Sequence, residues 1–280
     1  PYPRTDQARQ RDVKFISASE PEYVFSPQEC RHSTLYMEKR AVQGEPTVFS
    51  ETFEYTSCGE WHNLCAEDVL PYDTTAALYK EYTAEREKHI VFSPRLRELA
   101  AKLTAGETNP YLKAKRIFRW INDHFPWASA REYSTIENIP EYVLDNRHGD
   151  CGQVSLLFIT LCRISGIPAH FQSGFMMHPR AWNLHDWAEV YFEGVGWVPV
   201  DQSFGIPAFA RNADEEYFFL GGIDSWRMIV NTDYGMPLVP EKKYPRSETV
   251  DFQRGEVEWE GGNLYFPQWS YHMDIDYLNY

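Results

Sequence analysis

Arg147-His148-Gly149-Asp150-Cys151-Gly152-Gln153-Val154-Ser155-Leu156-Leu157-Phe158 is the stretch on which the reading of this chain turns. Glycines at 149 and 152 permit a tight turn and close backbone approach. From Cys151 onward, Val154, Leu157, Phe158, Leu161 and Ile164 recur at intervals of three and four, which predicts a helix with an apolar face. Ser165-Gly166-Ile167-Pro168 ends it, with a glycine cap and then a proline. Cys151 therefore falls at or just before a helix N-terminus. Unpaired amides and the helix dipole favour a thiolate there, and the same amides can receive an oxyanion. Most free cysteines are small buried residues, and Cys162, set among Leu161 and Ile164, reads that way. The glycine-flanked turn sets Cys151 apart.

Downstream, His185-Asp186-Trp187-Ala188-Glu189-Val190-Tyr191-Phe192 alternates. His185, Trp187, Glu189 and Tyr191 share one face of a strand, and Ala188, Val190 and Phe192 the other. Glu193 to Gly196 is a turn candidate. Trp197-Val198-Pro199-Val200 is a second short strand, its pairing limited by Pro199. A hairpin folded about residues 193 to 195 returns Asp201 to within two or three positions of His185. A carboxylate so placed fixes the imidazole tautomer and stabilises the imidazolium. Taken singly, His185 reads as a strand-end surface residue and Asp201 as a turn residue. The joint order of thiol, imidazole and carboxylate points to a nucleophile, its base and an orienting acid.

The segments Gly149-Asp150-Cys151-Gly152, Cys162 to Ala169, His185 to Tyr191 and Gly196 to Asp201 resemble the core of the transglutaminase-like superfamily. The resemblance extends back through Asn109-Pro110-Tyr111 and Ile117 to Ile121. It implies an α+β, papain-like fold of the cysteine proteinase and transglutaminase type, with β-rich N- and C-terminal extensions. It also implies Cys151 as nucleophile, His185 as base and Asp201 as third member. Family members complete the oxyanion hole with a polar or aromatic donor upstream of the cysteine, for which Tyr133 is the candidate. The superfamily includes crosslinking transglutaminases, bacterial peptidase-like proteins and peptide N-glycanases.

Composition bounds the remaining possibilities. The formal charge is -14, from 27 basic and 41 acidic residues, and no basic run or arginine-aromatic stripe occurs. Electrostatic binding to nucleic acid or anionic membrane is not expected. No apolar run approaches the ~18 residues of a transmembrane helix. A hydrophobic content of 43% with 18 Tyr, 17 Phe and 9 Trp supports a substantial core. The chain opens Pro1-Tyr2-Pro3 without methionine, which is compatible with a removed leader or an upstream segment. Export to a periplasm or cell surface is the favoured location, and Cys58 and Cys65 could then close a small disulfide loop. Cys58, His62 and Cys65 give three ligands without a fourth, so no metal is expected, and neither is a cofactor.

Three regions follow: a β-containing segment over 1–75, a catalytic core over 76–235 and a β extension over 236–280. Within them a strand is expected at 47–55. Helices are expected at 79–87, 93–103, 109–124 and 139–144. Further strands are expected at 169–176, 250–253, 256–259, 263–266 and 271–275, with Gly261-Gly262 as a hairpin turn. The expected activity is attack on the amide bond of a peptide, protein or peptide-like substrate through a thioester, with hydrolysis favoured over transfer. Rival readings are a peptide N-glycanase-like enzyme and a non-catalytic binding module of the same fold. Trp127, Trp182 and Trp187 are candidates for a cleft or for the core.

Overall fold

The computed structural model describes residues 1–129 and 131–278. Its N-terminal region holds β1 (Gln10–Ala18), β2 (Tyr23–Phe25), β3 (Leu35–Met37), β4 (Glu51–Ser57) and β5 (Glu60–Trp61), with β1 paired to β4 and β2 to β3, both antiparallel. Five helices follow: α1 (Ala77–Tyr82), α2 (Pro94–Leu103), α3 (Pro110–His124), α4 (Ile139–Asn146) and α5 (Cys151–Ile164). The main sheet comprises β6 (Ala169–Met176), β7 (Asn183–Phe192), β8 (Gly196–Val200) and, after α6 (Ala213–Glu216) and β9 (Gly222–Ile223), β10 (Arg227–Asn231). Its order is β10-β6-β7-β8, antiparallel throughout. β11 (Val257–Trp259) and β12 (Gly262–Leu264) form a closing hairpin. This is an α+β fold. Among the described residues no helix is long and apolar enough to cross a membrane.

α5 is the centre of the core. Val154, Leu156, Leu157, Phe158, Ile159 and Leu161 are buried around nearly its whole circumference. A helix apolar on all sides needs cover on all sides. α2, α3 and α4 supply it on one flank and β6 and β7 on the other. The helix starts follow local sequence. Ser93 accepts from the Leu96 amide ahead of Pro94, and Asn109 accepts from the Leu112 amide ahead of Pro110. Each is an N-cap followed by a proline whose missing N–H costs nothing in the first turn.

Both terminal regions bind to the sheet through its polar groups. Gln10 exchanges two hydrogen bonds with the backbone of Ile229 on the edge strand β10, at 2.9 and 2.7 Å. That contact satisfies groups an open sheet edge would leave unpaired. β8, the other edge, is covered by residues 219–221. Asp201 N–H donates to Phe219 and Gly221 N–H to Pro199. Near the C-terminus, Asn231 Nδ2 donates to the Phe252 carbonyl at 3.0 Å.

Three expected elements differ. The first helix ends at Tyr82 and not at residue 87. Thr83 caps it by bonding back to the Tyr79 carbonyl, and Arg86 and Ile90 then pair in a tight turn. Residues 250–253 alternate in sequence yet form no strand. Val250 and Phe252 are buried in separate apolar clusters, while Gln253 reaches the cavity described below. Residues 271–275 are irregular. All five cysteines, Cys58 and Cys65 included, are free thiols.

Candidate active site

The first turn of α5 is built by its own sequence. Asp150 is the N-cap: its carboxylate accepts from the Gln153 amide at 3.1 Å, and Gln153 reaches back to the Asp150 amide. This reciprocal pair is a capping box. The Val154 amide donates to the Asp150 carbonyl. The Gly152 amide donates to the Tyr133 hydroxyl at 3.1 Å. The Cys151 amide is thus the one among the first four without an acceptor among the described residues.

Tyr133 lies in a short turn before α4, and its hydroxyl rests on this helix end. It donates to Asp150 Oδ1 at 2.6 Å and lies 3.4 Å from Asp186 Oδ2. The close fit requires glycine at 152, since a Cβ there would come within 2.4 Å of the Tyr133 hydroxyl and 2.6 Å of Asp186 Oδ2. The Cys151 sulfhydryl donates to the same Asp186 Oδ2, 3.5 Å away. Asp186 Oδ1 accepts from Gln253 Nε2 at 2.8 Å, and that amide also donates to the His185 carbonyl at 2.9 Å.

The hairpin of β7 and β8 positions His185 and Asp201. Ala188 opposes Val200, so Asp201 follows opposite Trp187, two residues from His185. His185 Nε2 meets Asp201 Oδ2 at 2.7 Å. Asp201 is fully buried and fully bonded. Its Oδ2 also meets Arg227 Nη2 at 3.0 Å, and its Oδ1 accepts from the Ser203 and Phe204 amides, each at 3.2 Å. Burial opposes its ionised form, but His185 and Arg227 outweigh that and hold its carboxyl below the usual range.

Cys151, His185, Tyr133, Asp150 and Asp186 line one cavity of about 510 Å³. Trp127 and Phe204 stand at its mouth, 60% and 36% exposed, and residues 247–254 form a wall. Of the three tryptophans considered, Trp127 belongs to the cavity, Trp187 is wholly buried, and Trp182 packs on a satellite apolar cluster. A larger hollow of about 700 Å³ beside α4 contains none of these residues.

The electrostatics at the sulfur run against the sequence expectation. Burial, then Asp186 and Asp150, push the Cys151 thiol well above its ordinary range. Burial also raises Asp150 to about 6 and Asp186 far above a usual carboxylate, the latter helped by Asp251 and Asp150. The helix end that was expected to favour a thiolate has spent most of its amides on Asp150 and Tyr133. What remains near the sulfur is the Asp186 carboxyl oxygen and, opposing it weakly, the Asp186 backbone amide.

Sequence reasoning brought together His185 and Asp201, and set Cys151 and Tyr133 on the same cavity. It missed Asp186, Gln253 and Arg227. Asp186 was visible as a polar residue on the strand face otherwise occupied by Ala188 and Val190. Gln253 and Arg227 carried no local signal, because their partners lie far away in the chain.

A buried imidazole-carboxylate pair on adjacent strands, with a cysteine opening the central helix beside the same cavity, defines a papain-like cysteine architecture. Residues 97–202 match the transglutaminase-like superfamily, so the chain carries a transglutaminase-like core. Two curated relatives match the same part. A Bacillus subtilis protein, YebA, described as uncharacterized, is 26% identical over 140 residues, or 43% of this chain. A protein-glutamine gamma-glutamyltransferase of Pseudomonas aeruginosa is 23% identical over 125 residues, or 41% of this chain. The chain spans 19% of the length of each. Among solved structures, a candidate cysteine protease from Cytophaga hutchinsonii superposes with a TM-score of 0.56 at 19% identity, over 83% of this chain and 73% of its own. That likeness is one of fold.

Proposed function

We propose that the protein is a cysteine-dependent amide-bond enzyme in which Cys151 is the nucleophile, His185 the base and Asp201 the orienting acid. The observation that carries this reading is the buried 2.7 Å contact between His185 and Asp201, with His185 sharing a cavity with Cys151. Asp201 engages Nε2, so Nδ1 is the nitrogen left to exchange a proton with the sulfur. In the first half-reaction the thiol proton passes to Nδ1 and the sulfur attacks the amide carbonyl, forming a C–S bond. Collapse of the tetrahedral intermediate breaks the C–N bond, and the imidazolium proton leaves on the amine. Water or a second amine then cleaves the thioester and restores the thiol. The free Cys151 amide is one oxyanion donor. Tyr133 carries a single hydroxyl proton, so it becomes the second donor by turning that proton from Asp150 to the oxyanion.

The favoured reaction is hydrolysis of a peptide or peptide-like amide. The name of the Pseudomonas aeruginosa relative supports transfer to an amine as the other outcome of the same thioester. The test is a peptide library, with and without glutamine and with and without an added primary amine, read by mass spectrometry. Free-acid products mark hydrolysis and amine-containing products mark transfer. Cys151→Ala and His185→Ala are expected to yield neither, while Asp201→Asn retains part of the rate. Full turnover by Cys151→Ala excludes the proposal. A second reading, a binding module without turnover, draws on the acid-crowded, protonated thiol. It predicts peptide retention with no product from the unaltered protein.

A further inference from the structure

Strand alternation gives β7 two different sides at this site. His185 and Trp187 lie on one face, and Asp186, Ala188 and Val190 on the face packed against α5. Ala188 and Val190 are what that apolar face demands. Asp186 is a carboxyl in the same row, only 2% exposed, and it meets no cation. Its contacts are directed. Oδ1 is fixed by Gln253, and Oδ2 faces both the Cys151 sulfur, 3.5 Å away, and the Tyr133 hydroxyl, 3.4 Å away. A buried acid tolerates that setting only where each oxygen has a donor.

We infer that Asp186 is a gate on the nucleophile: in the resting protein it holds the Cys151 proton by accepting the sulfhydryl hydrogen bond, and His185 takes that proton only when this bond opens. This rests on Cys151 being the nucleophile and adds the group that sets its readiness. The balance is simple. Asp186 Oδ2 accepts from a neutral thiol, and a substrate group that displaces Oδ2 from the sulfur frees the S–H to turn to Nδ1. Burial, together with a carboxyl oxygen that can accept from a thiol but not donate to a thiolate, keeps the cysteine from being pre-ionised by the helix end.

Other charged groups face the same pair and must be separated from it. Asp150 and Tyr133 lie on the helix side, and His185, Asp201 and Arg227 on the sheet side. Glu248, Asp251 and Arg254 come from the C-terminal wall, with Glu132 bound to Arg254 across the cavity mouth. Asp150 is the informative control. It is a half-buried acid next to Cys151 in sequence, but its carboxylate bonds Tyr133 and the Gln153 amide and not the sulfur.

The test is the pH profile of iodoacetamide alkylation, followed at the Cys151 peptide by mass spectrometry so that the other four cysteines do not interfere. Asp186→Asn and Asp186→Ala are compared with Asp150→Asn, which keeps the helix cap. Thermal melts accompany each, and Asp186→Asn preserves the shape of the site if Asp186→Ala does not fold. The expected result is a shift of the Asp186 profiles by about one pH unit or more to lower pH, hence roughly tenfold faster alkylation at pH 7, with a clearly smaller shift for Asp150→Asn. Unshifted Asp186 profiles, or an equal shift in Asp150→Asn, overturn the inference. Alkylation reads the thiol directly, so this answer stands apart from whether any amide is turned over.

Discussion

Asp186 and Glu189 are three residues apart on β7, both carboxylates and both buried, yet they are held in opposite states. Glu189, 8% exposed, faces Arg9 and His170, each at 3.1 Å, and Gln172 at 3.2 Å. Burial raises it, but Arg9 and His170 overcome that and bring it down to about 2. Asp186 has the same burial and no cation in contact, and it goes up. The cost of desolvation is common to both, and the guanidinium decides the sign. Arg9 also bonds Glu60 at 2.6 Å, so the low-pKa carboxylate fastens the N-terminal segment to the sheet. The high-pKa one sits beside the candidate nucleophile. One face of the strand holds the frame and the other tunes a proton.

Removing the cation is the most forceful way to break this contrast. Arg9→Ala leaves Glu189 buried with His170 and Gln172 as its remaining side-chain partners. Breaking one side of a buried pair costs about 3–5 kcal/mol, so a loss of that size in the unfolding free energy read from urea melts is expected. A change under about 0.5 kcal/mol shows that Glu189 relaxes to water and that the comparison fails on its framework side.

On the other side, Tyr133→Phe removes the hydroxyl shared by Asp150, the Gly152 amide and Asp186. If that proton serves the oxyanion, acylation slows by about a hundredfold to a thousandfold while substrate affinity changes little. An unchanged acylation rate with lowered thermal stability assigns Tyr133 to packing and capping alone.

The smallest effect is in the pH dependence of stability. Asp150, raised to about 6, binds its proton more tightly when folded than when unfolded. Its contribution is present at acid pH and is lost as pH rises from the ordinary carboxylate range through about 6. Glu189 has the reverse sign: its contribution is present above its unfolded pKa and is lost as pH falls towards about 2. Asp150→Asn is therefore expected to flatten the decline in stability between about pH 4 and 6, and to leave the loss below that range in place. Identical melting profiles over both ranges would contradict the assignment of opposite signs.

Much of this site was legible because its parts are local. The helix period from Cys151 and the 193–195 turn each concern neighbouring residues, and the turn brings Asp201 to within two or three positions of His185, while the register itself and the Asp150 cap are seen in the structure. The state of the thiol was not legible. It depends on how many helix-end amides are left over, and those are consumed by Tyr133 and by Asp150's own side chain. It depends as well on Asp186, whose effect follows from the cations it lacks. Gln253 was hidden for a related reason. Residues 250–253 alternate like a strand, but the sheet edge they approach takes up single side-chain and carbonyl contacts, and no ladder forms.

Cys151, although held as a thiol at rest, is the group proposed to become acylated. Intact-protein and peptide mass spectrometry after rapid acid quench of the protein with a reactive peptide substrate tests this most directly. An acyl adduct confined to the Cys151 peptide is expected, absent in Cys151→Ala and accumulating faster in Asp186→Asn at pH 7. Product formation with no adduct at Cys151, or an adduct that persists in Cys151→Ala, would contradict it.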